Sequence, residues 1–525
     1  MPGDSQMLRR AERRAQQLRP RYRSLGLWSG DPVDVVRDAG RICPDAVAVV
    51  DRSGPVSYRD LDSAVDRACL VLYGHGVGAG AVVLVVVGND IASVVAVHAV
   101  SRSGAIVLVV PRSAGWAHIA DIVARSGASV GIAPRRAESA GPSAVPDFEW
   151  IDVGEQTDPQ PCPTPTRPSC PADEPSFVLY TSGTTSRPKG VIHSLSTLMK
   201  ASANYIRAAG LDSRDRIFLI SPLASVTGVL QALFVAPMLR IPVILEDRWD
   251  PSSTCEFLLS SGATWYGGPD RLLNRLLDEA VAAGRPVPLR AVFLGGTMLD
   301  HDIVARIEDE FGIVVMRAYG SSEAPVSVAG TRGEPRSLRH ADDGAGLAHV
   351  DVRVGSYADP TECCIRGPHV FLGYTDEEDD RAAFDGEWFR TGDVIDHTGG
   401  RVRVVGRLRD IVIRNGLKIP IGEVDEAIRR ITGVLDCAAY SVPDPVTGER
   451  LAAAVVIEPG VTLSLGMVAG MLLAAGLPKY KLPEELVLWN EPLPMNANGK
   501  VERAKLDAGA AGRPRDLAER LSAEP

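Results

Sequence analysis

Short apolar runs alternate with helical patterns along the first half of the chain. The runs at residues 82–87 and 106–110 contain no polar residue, which is typical of strands buried on both faces of a sheet. The full pattern predicts a helix over 58–73, a strand over 82–87, a helix over 91–102, a strand over 106–110, a helix over 116–126 and a strand over 129–133. Buried strands separated by helices predict a parallel sheet covered by helices, and therefore an α/β fold.

The same alternation returns after a segment of different character. Residues 134–176 hold many prolines and few apolar residues, which predicts a long surface connection rather than a helix or strand. Strands are then expected at 177–180, 243–245, 292–294 and 314–316, with a helix that begins near Leu195. These segments continue the α/β pattern to about residue 350.

From Val350 onward the pattern becomes rich in predicted strands, which end in a pair at 393–395 and 401–405 joined through Gly399 and Gly400. A polar stretch at 406–410 precedes a compact tail with its own strand and helix pattern. We therefore predict a large N-terminal domain over residues 1–407, with two α/β-layered subdomains and a β-rich, barrel-like subdomain. A small α+β C-terminal domain is predicted over residues 408–525.

Composition narrows the class of protein. A chain of 525 residues with 45% hydrophobic content is large enough for several buried cores, and its net charge of −10 argues against a general nucleic-acid binder. No apolar stretch approaches the roughly 20 residues of a membrane span. The eight cysteines lack paired CxxC spacing, which favours a reducing cytoplasm and no structural zinc.

The N-terminus is locally basic. Seven of the first 23 residues are arginine, and the acidic residues Asp4 and Glu12 interrupt them. No apolar segment of the kind found in secretory signals follows. We predict a solvated N-terminal helix rather than a targeting peptide.

The clearest chemical signal is the run YTSGTTSRPKG at residues 180–190. It lies between a predicted strand and a predicted helix, where small residues let backbone N–H groups surround an anion, and Lys189 adds positive charge. It is not a Walker A loop, because Pro188 stands where that motif requires glycine. Taken alone, the run could also be a Ser/Thr-rich turn with a solvated lysine.

Further motifs follow at residues 295–297, 319–323, 388–393, 406–410, 416–423 and 494–500. Together with the 180–190 run and in this order, they resemble the adenylate-forming superfamily of acyl-CoA synthetases, carrier-dependent adenylation domains and luciferase-like enzymes. The sequences of the motifs most resemble those of cyclohexanecarboxylate-type and medium-chain acid:CoA ligases. The resemblance implies that ATP and Mg²⁺ convert a carboxylic acid to an acyl-adenylate, which then passes its acyl group to CoA.

The resemblance also assigns residues. Lys500 would stabilise charge on the reacting phosphates, Ser322 would bind the α-phosphate, and Glu323 would offer Mg²⁺ a hard carboxylate oxygen, with Thr181 as a second metal contact. Asp393 would accept the ribose hydroxyls and Arg407 would hold the nucleotide. The complete set of implied nucleotide contacts is Thr181, Ser182, Gly183, Thr184, Thr185, Lys189, Gly295, Gly296, Thr297, Ala318, Tyr319, Gly320, Ser321, Asp393, Val405 and Arg407.

The implied acyl pocket consists of Ser225, Val226, Thr227, Gly228, Gly267 and Gly268. Ser225 stands where the family commonly has an aromatic residue or histidine, which puts the usual gating role in doubt. Amino-acid-activating relatives carry an aspartate at or beside Val226, so an ammonium substrate would be left unpaired here at a cost of several kcal/mol. An uncharged acyl or alicyclic acid is favoured, and the small glycines are expected to leave room for a bulky one.

In this family the small domain rotates after adenylation. Arg409 stands at the hinge position, while Gly416 and Leu417 would then reach the thiol channel. Ser186 departs from the glycine that is usual in the phosphate loop.

Alternatives stay open at this point. The acceptor could be the phosphopantetheine of an acyl carrier protein, as in a stand-alone adenylation enzyme of specialised metabolism, rather than CoA. A relative that performs one half-reaction, or a nucleotide-binding interaction protein, is the third possibility. The expected partners are a small carboxylic acid and CoA or a carrier protein, with the chain acting in the cytoplasm as a monomer or homodimer.

Overall fold

The structure, a computed structural model, describes residues 6–133, 148–154, 170–180, 189–295, 299, 301–415, 417–495 and 501–518. Its contacts divide the chain into two compact units. The first unit consists of Met1–Val352, Ile365–Arg390 and Gly399–Val402. The second unit consists of Arg353–Cys364, Thr391–Thr398 and Arg403–Pro525. The predicted boundary at residue 408 stays a prediction.

The helices are α1 (Gln6–Ser24), α2 (Val35–Ile42), α3 (Tyr58–Gly74), α4 (Ile91–Arg102), α5 (Trp116–Ser126), α6 (Leu195–Ala209), α7 (Val226–Gly228), α8 (Ala236–Leu239), α9 (Pro251–Ser261), α10 (Asp270–Ala282), α11 (His301–Phe311), α12 (Arg336–Ala341), α13 (Glu377–Ala383), α14 (Ile421–Arg429), α15 (Leu465–Ala474) and α16 (Leu506–Gly509). A π-helix, Val229–Val235, joins α7 to α8.

The strands are β1 (Val47–Asp51), β2 (Gly54–Ser57), β3 (Val82–Val87), β4 (Ile106–Pro111), β5 (Val130–Ile132), β6 (Glu149–Ile151), β7 (Pro175–Tyr180), β8 (Gly190–Ser194), β9 (Ile217–Leu219), β10 (Val243–Leu245), β11 (Trp265–Gly268), β12 (Ala291–Gly295), β13 (Val314–Tyr319), β14 (Val328–Ala329), β15 (Gly344–Gly346), β16 (Asp351–Val354), β17 (Glu362–Arg366), β18 (Gly373–Tyr374), β19 (Phe384–Asp385), β20 (Trp388–Thr398), β21 (Arg401–Arg407), β22 (Ile411–Arg414), β23 (Leu417–Pro420), β24 (Val434–Asp444), β25 (Gly448–Ile457), β26 (Glu485–Trp489) and β27 (Arg515–Leu517).

Two sheets with largely parallel cores build the first unit and confirm the predicted α/β class. One has the order β2-β1-β10-β9-β11-β12-β13-β14-β15, and its pairs from β1 through β13 are parallel. The other has the order β18-β8-β7-β4-β3-β5-β6, and its pairs from β7 through β6 are parallel. Catalytic loops commonly follow the carboxyl ends of such parallel strands.

Strand β3 shows why this sheet is covered on both faces. Val83 and Val85 pack into a core with α3 and α4, while Leu84 and Val86 pack into a second core on the other face. Because side chains alternate along a strand, an all-apolar run is what two buried faces require.

Helix α1 confirms the predicted N-terminal helix but not its solvation. Met7, Ala11 and Ala15 repeat every four residues and are buried in the core that lies behind β3 and β4. On another side of the helix, Arg19 and Arg23 bind the fully buried carboxylate of Asp173 at 3.1 and 2.6 Å. The helix is therefore an integral layer of the first unit.

Two further expectations are corrected. The 134–176 segment contains strand β6, which extends the sheet by parallel pairing of Trp150 with Gly131. The segment rich in strands after Val350 does not form a barrel within the described residues. Strand β15 pairs with β14 on one side and with Arg401 and Val402 on the other, and the strand order through this segment is open. The pairing of β15 with β21, which is distant in sequence, extends the sheet and does not close it into a barrel.

The second unit carries a sheet of order β23-β22-β25-β26-β27, with β24 paired to β25. Its core joins Val412 and Ile419 of the first hairpin to Val424 and Ile428 of α14 and Val468 of α15. The predicted α+β character of this tail is thereby confirmed. No helix in the described parts of the chain is long and apolar enough to cross a membrane.

Candidate functional site

The site in the first unit begins where two neighbouring parallel strands end. Gly295 closes β12 and is paired in register with Ala318 of β13. A Cβ on Gly295 would lie 2.5 Å from the Ala318 carbonyl oxygen, so the close approach requires glycine. Tyr319 is the last residue of β13, and the structure therefore brings together three of the predicted nucleotide contacts.

A tight turn follows Tyr319 and carries Ser321, Ser322 and Glu323. Its compactness depends on Gly320, whose hypothetical Cβ would lie 2.4 Å from the backbone nitrogen of Val326. The hydroxyl of Ser321 accepts a hydrogen bond from the backbone nitrogen of Ala324 at 3.2 Å. A turn fixed by its own backbone holds the side chains that follow it in place.

Glu323 is held from two directions. The hydroxyl of Tyr374 donates a 2.6 Å hydrogen bond to its Oε1, and its carbonyl oxygen accepts from the backbone nitrogen of Phe371 at 2.8 Å. Burial, followed by the nearby Glu323 carboxylate, raises the pKa of Tyr374 well above its ordinary value. The hydroxyl therefore stays protonated at neutral pH and keeps the proton that it donates to Glu323.

Lys189 ends the phosphate-loop motif and lies close to the same tyrosine. Its Nζ is 2.7 Å from Oδ1 of Asp379 on α13 and 5.1 Å from the centroid of the Tyr374 ring. The Lys189 side chain as a whole is more than one-third exposed. Lys189, Tyr374 and Glu323 thus form one charged cluster in the first unit.

His193 supports the Ser322–Glu323 turn from behind. Its Nε2 lies 2.7 Å from the Ser322 carbonyl oxygen, and its Nδ1 lies 2.9 Å from the Thr197 hydroxyl. Complete burial lowers the pKa of His193 to about 4, so the ring is neutral and donates through Nε2–H. Asn or Gln could replace such a donor, whereas an apolar residue would leave a carbonyl unpaired.

Asp393 and Arg407 come together in the second unit. Arg407 Nε lies 3.1 Å from Asp393 Oδ1, and the Asp393 side chain is almost fully buried. Within β20, the backbone before Asp393 is held by Gly392, which has a φ of 71°, and by a 3.1 Å hydrogen bond from the Gly392 nitrogen to Glu362. The sequence motif therefore presents an ordered carboxylate beside a guanidinium. Val405 lies on the same strand as Arg407.

The predicted acyl-pocket segment, Ser225 to Gly228, forms the N-cap and the whole of α7, directly before the π-helix. Ser225 caps α7, because its hydroxyl accepts from the nitrogen of Gly228 at 3.1 Å and donates to the carbonyl of Pro222 at 2.7 Å. Gly228 has no space for a side chain, since a Cβ would lie 2.2 Å from that carbonyl oxygen. Ser225 therefore has a local structural role in place of the family's aromatic group.

The expected room beside the two pocket glycines is not there. A Cβ on Gly267 would lie 2.3 Å from the Tyr205 hydroxyl and 2.8 Å from Gln231 Nε2, and one on Gly268 would lie 2.9 Å from the Tyr266 hydroxyl. Gln231 also donates to the carbonyl of Gly267 at 3.0 Å. Large side chains from neighbouring elements fill the space that small residues leave open.

Other predicted site residues lie outside the described residues. They are Thr181, Ser182, Gly183, Thr184, Thr185, Ser186, Gly296, Thr297, Gly416 and Lys500. The backbone of Arg409 lies in a 3₁₀ turn, Leu408–Asp410, and Leu417 begins β23 with a half-exposed side chain.

Tyr374, His193 and Asp379 were not predicted. Each looks ordinary in its own segment. Its role depends on a contact with a residue more than 50 positions away: Ser322 for His193, Glu323 for Tyr374 and Lys189 for Asp379. The order Gly373-Tyr374 before an acidic helix is a local signal for the tyrosine, whereas nothing local marks the histidine.

Buried histidines make the first unit sensitive to acid. Desolvation lowers the pKa of His98 and of His193 to about 4 and that of His369 to about 3, below the ordinary value of 6.5. Between pH 4 and 6.5 the unfolded chain binds more protons than the folded chain, because its histidines have the ordinary pKa. The free energy of unfolding is therefore highest above pH 6.5 and decreases as the pH falls toward 4. One pKa unit corresponds to about 1.4 kcal/mol, which makes the combined effect several kcal/mol.

We expect the thermal midpoint, measured by calorimetry at steps from pH 7.5 to 4.5, to fall steadily below pH 6.5. His193→Gln keeps an N–H donor for Ser322 but does not titrate, so its midpoint should fall less steeply. His118→Gln, at an exposed position, is the matched control and should follow the unsubstituted protein. Equal slopes in all three proteins would contradict the role of His193.

Comparison with protein families places these motifs in context. The profile of the AMP-binding enzyme family matches residues 36–375, and that of the AMP-binding enzyme C-terminal domain matches residues 423–500. A salicylyl-CoA synthase / salicylate adenylyltransferase from Streptomyces sp is 29% identical over 93% of this chain and 95% of the relative. The medium-chain fatty-acid–CoA ligase of Escherichia coli K12 is 31% identical, and the match spans 63% of this chain and 60% of the ligase.

Solved structures show the same fold. O-succinylbenzoate CoA synthetase from Bacillus subtilis, in complex with its acyl-adenylate intermediate, has a TM-score of 0.80 and 22% identity to this chain. The match covers 91% of this chain and 98% of the synthetase. A second structure of that synthetase holds ATP and a magnesium ion.

Proposed function

This chain belongs to the AMP-binding enzyme family, as its motifs indicated, and we propose that it is an AMP-forming acid:CoA ligase. The observation that carries the proposal is the cluster in which Lys189 and a Tyr374-bound Glu323 lie together after the ends of parallel strands. A cation that can reach phosphates and a fixed carboxylate that can hold Mg²⁺ are the two requirements of a nucleotide triphosphate site.

The proposed reaction has two steps, adenylation of the acid and transfer of the acyl group to CoA. A carboxylate oxygen of the acid attacks the α-phosphorus of ATP, the bond from that phosphorus to the bridging oxygen breaks, and pyrophosphate leaves with the electron pair. The thiol sulfur of CoA then attacks the acyl carbonyl carbon, the thiol loses its proton, and AMP leaves with the carboxylate oxygen. Charge accumulates on phosphate oxygens in the first step, so electrostatic stabilisation dominates its catalysis.

The residues of the first unit fit a magnesium ion shared with the substrate. In the described parts of the chain no group of three or more His, Cys, Asp or Glu side chains could hold a metal alone. Glu323 Oε1 is oriented by Tyr374, and the ion would take its remaining ligands from phosphate and water. When bound, Mg²⁺ neutralises phosphate charge. Lys189 adds a second positive group, while Ser322 offers a hydroxyl to the α-phosphate.

Two further proposed nucleotide contacts, Asp393 and Arg407, lie in the second unit. Asp393, oriented by Arg407, accepts the two ribose hydroxyls through its nearly buried carboxylate. Lys500 stabilises the bridging oxygens during adenylation. Arg409 is the hinge at which the C-terminal domain over 408–525 turns to bring Gly416 and Leu417 to the thiol.

The acid is uncharged apart from its reacting carboxylate. Residues 224–228 carry no acidic side chain, and the polar groups that surround Gly267 are the neutral side chains of Tyr205 and Gln231. An ammonium group placed there would lose its hydration without gaining a counter-ion. Because those side chains fill the space beside Gly267, an acid of moderate width fits better than a very bulky one.

The test is incubation of the full chain with ATP, Mg²⁺ and a panel of acids, followed by mass spectrometry for acyl-AMP. The panel contains aryl, alicyclic and medium-chain acids, with their ω-amino analogues as matched controls. CoA or a holo-carrier protein is then added, and thioester is measured. We expect acyl-AMP from uncharged acids and thioester on CoA. Thioester on the carrier alone would favour the carrier-loading alternative, and the absence of any acyl-AMP would contradict the proposal.

A further inference from the structure

The N-terminal helix α1 reaches the segment that orients Glu323, although it precedes the region matched by the family profile. Arg10 Nη2 donates to the carbonyl oxygen of Thr375 at 2.9 Å and lies 3.4 Å from that of Tyr374. Its Nε lies 3.7 Å from Oδ2 of Asp380. The other carboxylate oxygen of Asp380 accepts from the backbone nitrogen of Tyr374 at 2.9 Å. Arg10 and Asp380 therefore fix this short segment through both its carbonyls and its nitrogen.

The segment Tyr374–Thr375, which Arg10 and Asp380 hold, contacts Glu323 on one side and Gly190 on the other. Tyr374 donates to Glu323, the magnesium ligand of the proposed function. The nitrogen of Thr375 donates to the carbonyl of Gly190 at 2.9 Å, directly after Lys189. The Thr375 side chain also lies 2.6 Å from where a Cβ on Gly190 would be, so it fills the space beside Gly190.

A chain of aromatic rings also connects α1 to Tyr374. The guanidinium carbon of Arg14 lies 3.4 Å from the Phe384 ring centroid, and Phe384 stacks on Phe371 at 5.0 Å. Phe371 packs edge-on against Tyr374 at 4.8 Å and donates its backbone N–H to Glu323. Two arginines one helical turn apart thus reach the same tyrosine from two sides.

We propose that α1 is a positioning element of the adenylation site, in which Arg10, supported by Arg14, holds Tyr374 and Thr375 so that Glu323 and the segment Lys189–Gly190 keep their places. This inference rests on the proposed function for the role of Glu323. Arg10 contacts the backbone of Tyr374 and Thr375, the two residues that connect Glu323 to Gly190. The other polar contacts of α1, such as those of Arg19 and Arg23 with Asp173, lie away from this segment and serve the fold. Loss of Arg10 should therefore weaken the contribution of Mg²⁺ to ATP binding rather than ATP binding in general.

The experiment is calorimetric titration of the full chain with ATP, with Mg²⁺ and with EDTA, in the absence of any acid. In the unsubstituted chain Mg²⁺ should tighten ATP binding. We expect Arg10→Ala to reduce that gain roughly tenfold, because a hydrogen-bonded charged group that is removed has effects of this order. Arg10→Lys should recover part of the gain. Arg13→Ala, at an exposed position on the same helix, is the matched control and should keep the full gain.

A double-mutant cycle separates positioning from loss of fold. If Arg10 acts through Tyr374, then Arg10→Ala in a Tyr374→Phe background should cause little further loss. The thermal midpoint of each variant shows whether it folds. If Arg10→Ala does not fold, Tyr374→Phe alone measures how much the hydrogen bond from Tyr374 to Glu323 contributes to the gain from Mg²⁺. An unchanged gain from Mg²⁺ in Arg10→Ala, an equal loss with and without Mg²⁺, or an additive double variant would overturn the proposal.

These titrations contain no acid, so they decide the role of α1 independently of the reaction. If the unsubstituted chain forms no acyl-AMP with any acid, the proposed function fails while the binding result still stands. If acyl-AMP forms and Arg10→Ala behaves like Arg13→Ala, only the role of α1 is contradicted.

Discussion

Replacement of Lys500 by alanine is expected to lower acid-dependent ATP–pyrophosphate exchange roughly 100- to 1000-fold, the loss seen when one group that stabilises transition-state charge is removed. Negative charge develops on the attacking carboxylate, the α-phosphate and the departing pyrophosphate in the same step. The ammonium group is needed where that charge develops. Thioester formation from supplied acyl-adenylate involves no pyrophosphate, so it should fall far less.

The two half-reactions are measured separately, by exchange of labelled pyrophosphate and by thioester formation from synthetic acyl-adenylate. Lys505→Ala removes an exposed lysine from the same unit and is the matched control. It should leave both half-reactions unchanged. Equal loss of both half-reactions in a folded Lys500→Ala protein would contradict the proposed rotation of the C-terminal domain between the two half-reactions.

The second large effect is expected from Glu323→Gln. The amide keeps an oxygen that can accept from Tyr374, so the turn should keep its shape, but it removes the charge that makes the side chain a good ligand for Mg²⁺. We expect adenylation to fall roughly 100-fold at low Mg²⁺, in keeping with the loss of one electrostatic contact to the phosphates. High Mg²⁺ should restore part of the rate.

The measurement is the initial rate of acyl-AMP formation across a range of Mg²⁺ concentrations. Glu310→Gln, an exposed glutamate on α11 that pairs with Arg306, provides a control of identical chemistry. It should show the same Mg²⁺ dependence as the unsubstituted protein. If Glu323→Gln also does, Glu323 is not a ligand of the catalytic magnesium.

The elements most faithfully predicted from the sequence are those whose signal is local. The strand predicted at 82–87 and the helices predicted at 91–102 and 116–126 have the observed bounds of β3, α4 and α5. An unbroken valine and leucine run leaves few alternatives to a doubly buried strand. Asp90 explains the start of α4, because its side chain caps the backbone nitrogen of Ser93.

Features set by distant contacts were missed for the same physical reason. The barrel was predicted from local strand patterns, whereas the pairing of Gly344 with Val402, 58 positions apart, decides that the sheet stays open. Arginine content suggested that α1 is solvated, although the repeat of Met7, Ala11 and Ala15 on one face carried the contrary signal. Charged residues counted along the sequence do not reveal that a buried Asp173 neutralises them.

The candidate site divides in the same way. Motif order pointed to Lys189, Glu323 and Asp393, because each motif carries its chemistry within a few residues. Tyr374 and His193, which orient the Glu323 turn, are brought to it by strands β18 and β8. Only the fold shows that they are neighbours. Space was misjudged for a related reason, since the size of Gly267 says nothing about whether Tyr205 or a substrate fills the gap.

The most direct measurement of the central claim is the fate of carboxylate oxygen in complete turnover. An acid accepted by the enzyme is labelled with ¹⁸O in its carboxylate and converted with ATP, Mg²⁺ and CoA, and the products are examined by mass spectrometry. An acyl-adenylate mechanism places one ¹⁸O in AMP and none in pyrophosphate. Label in inorganic phosphate together with ADP, or AMP formed without label, would contradict it.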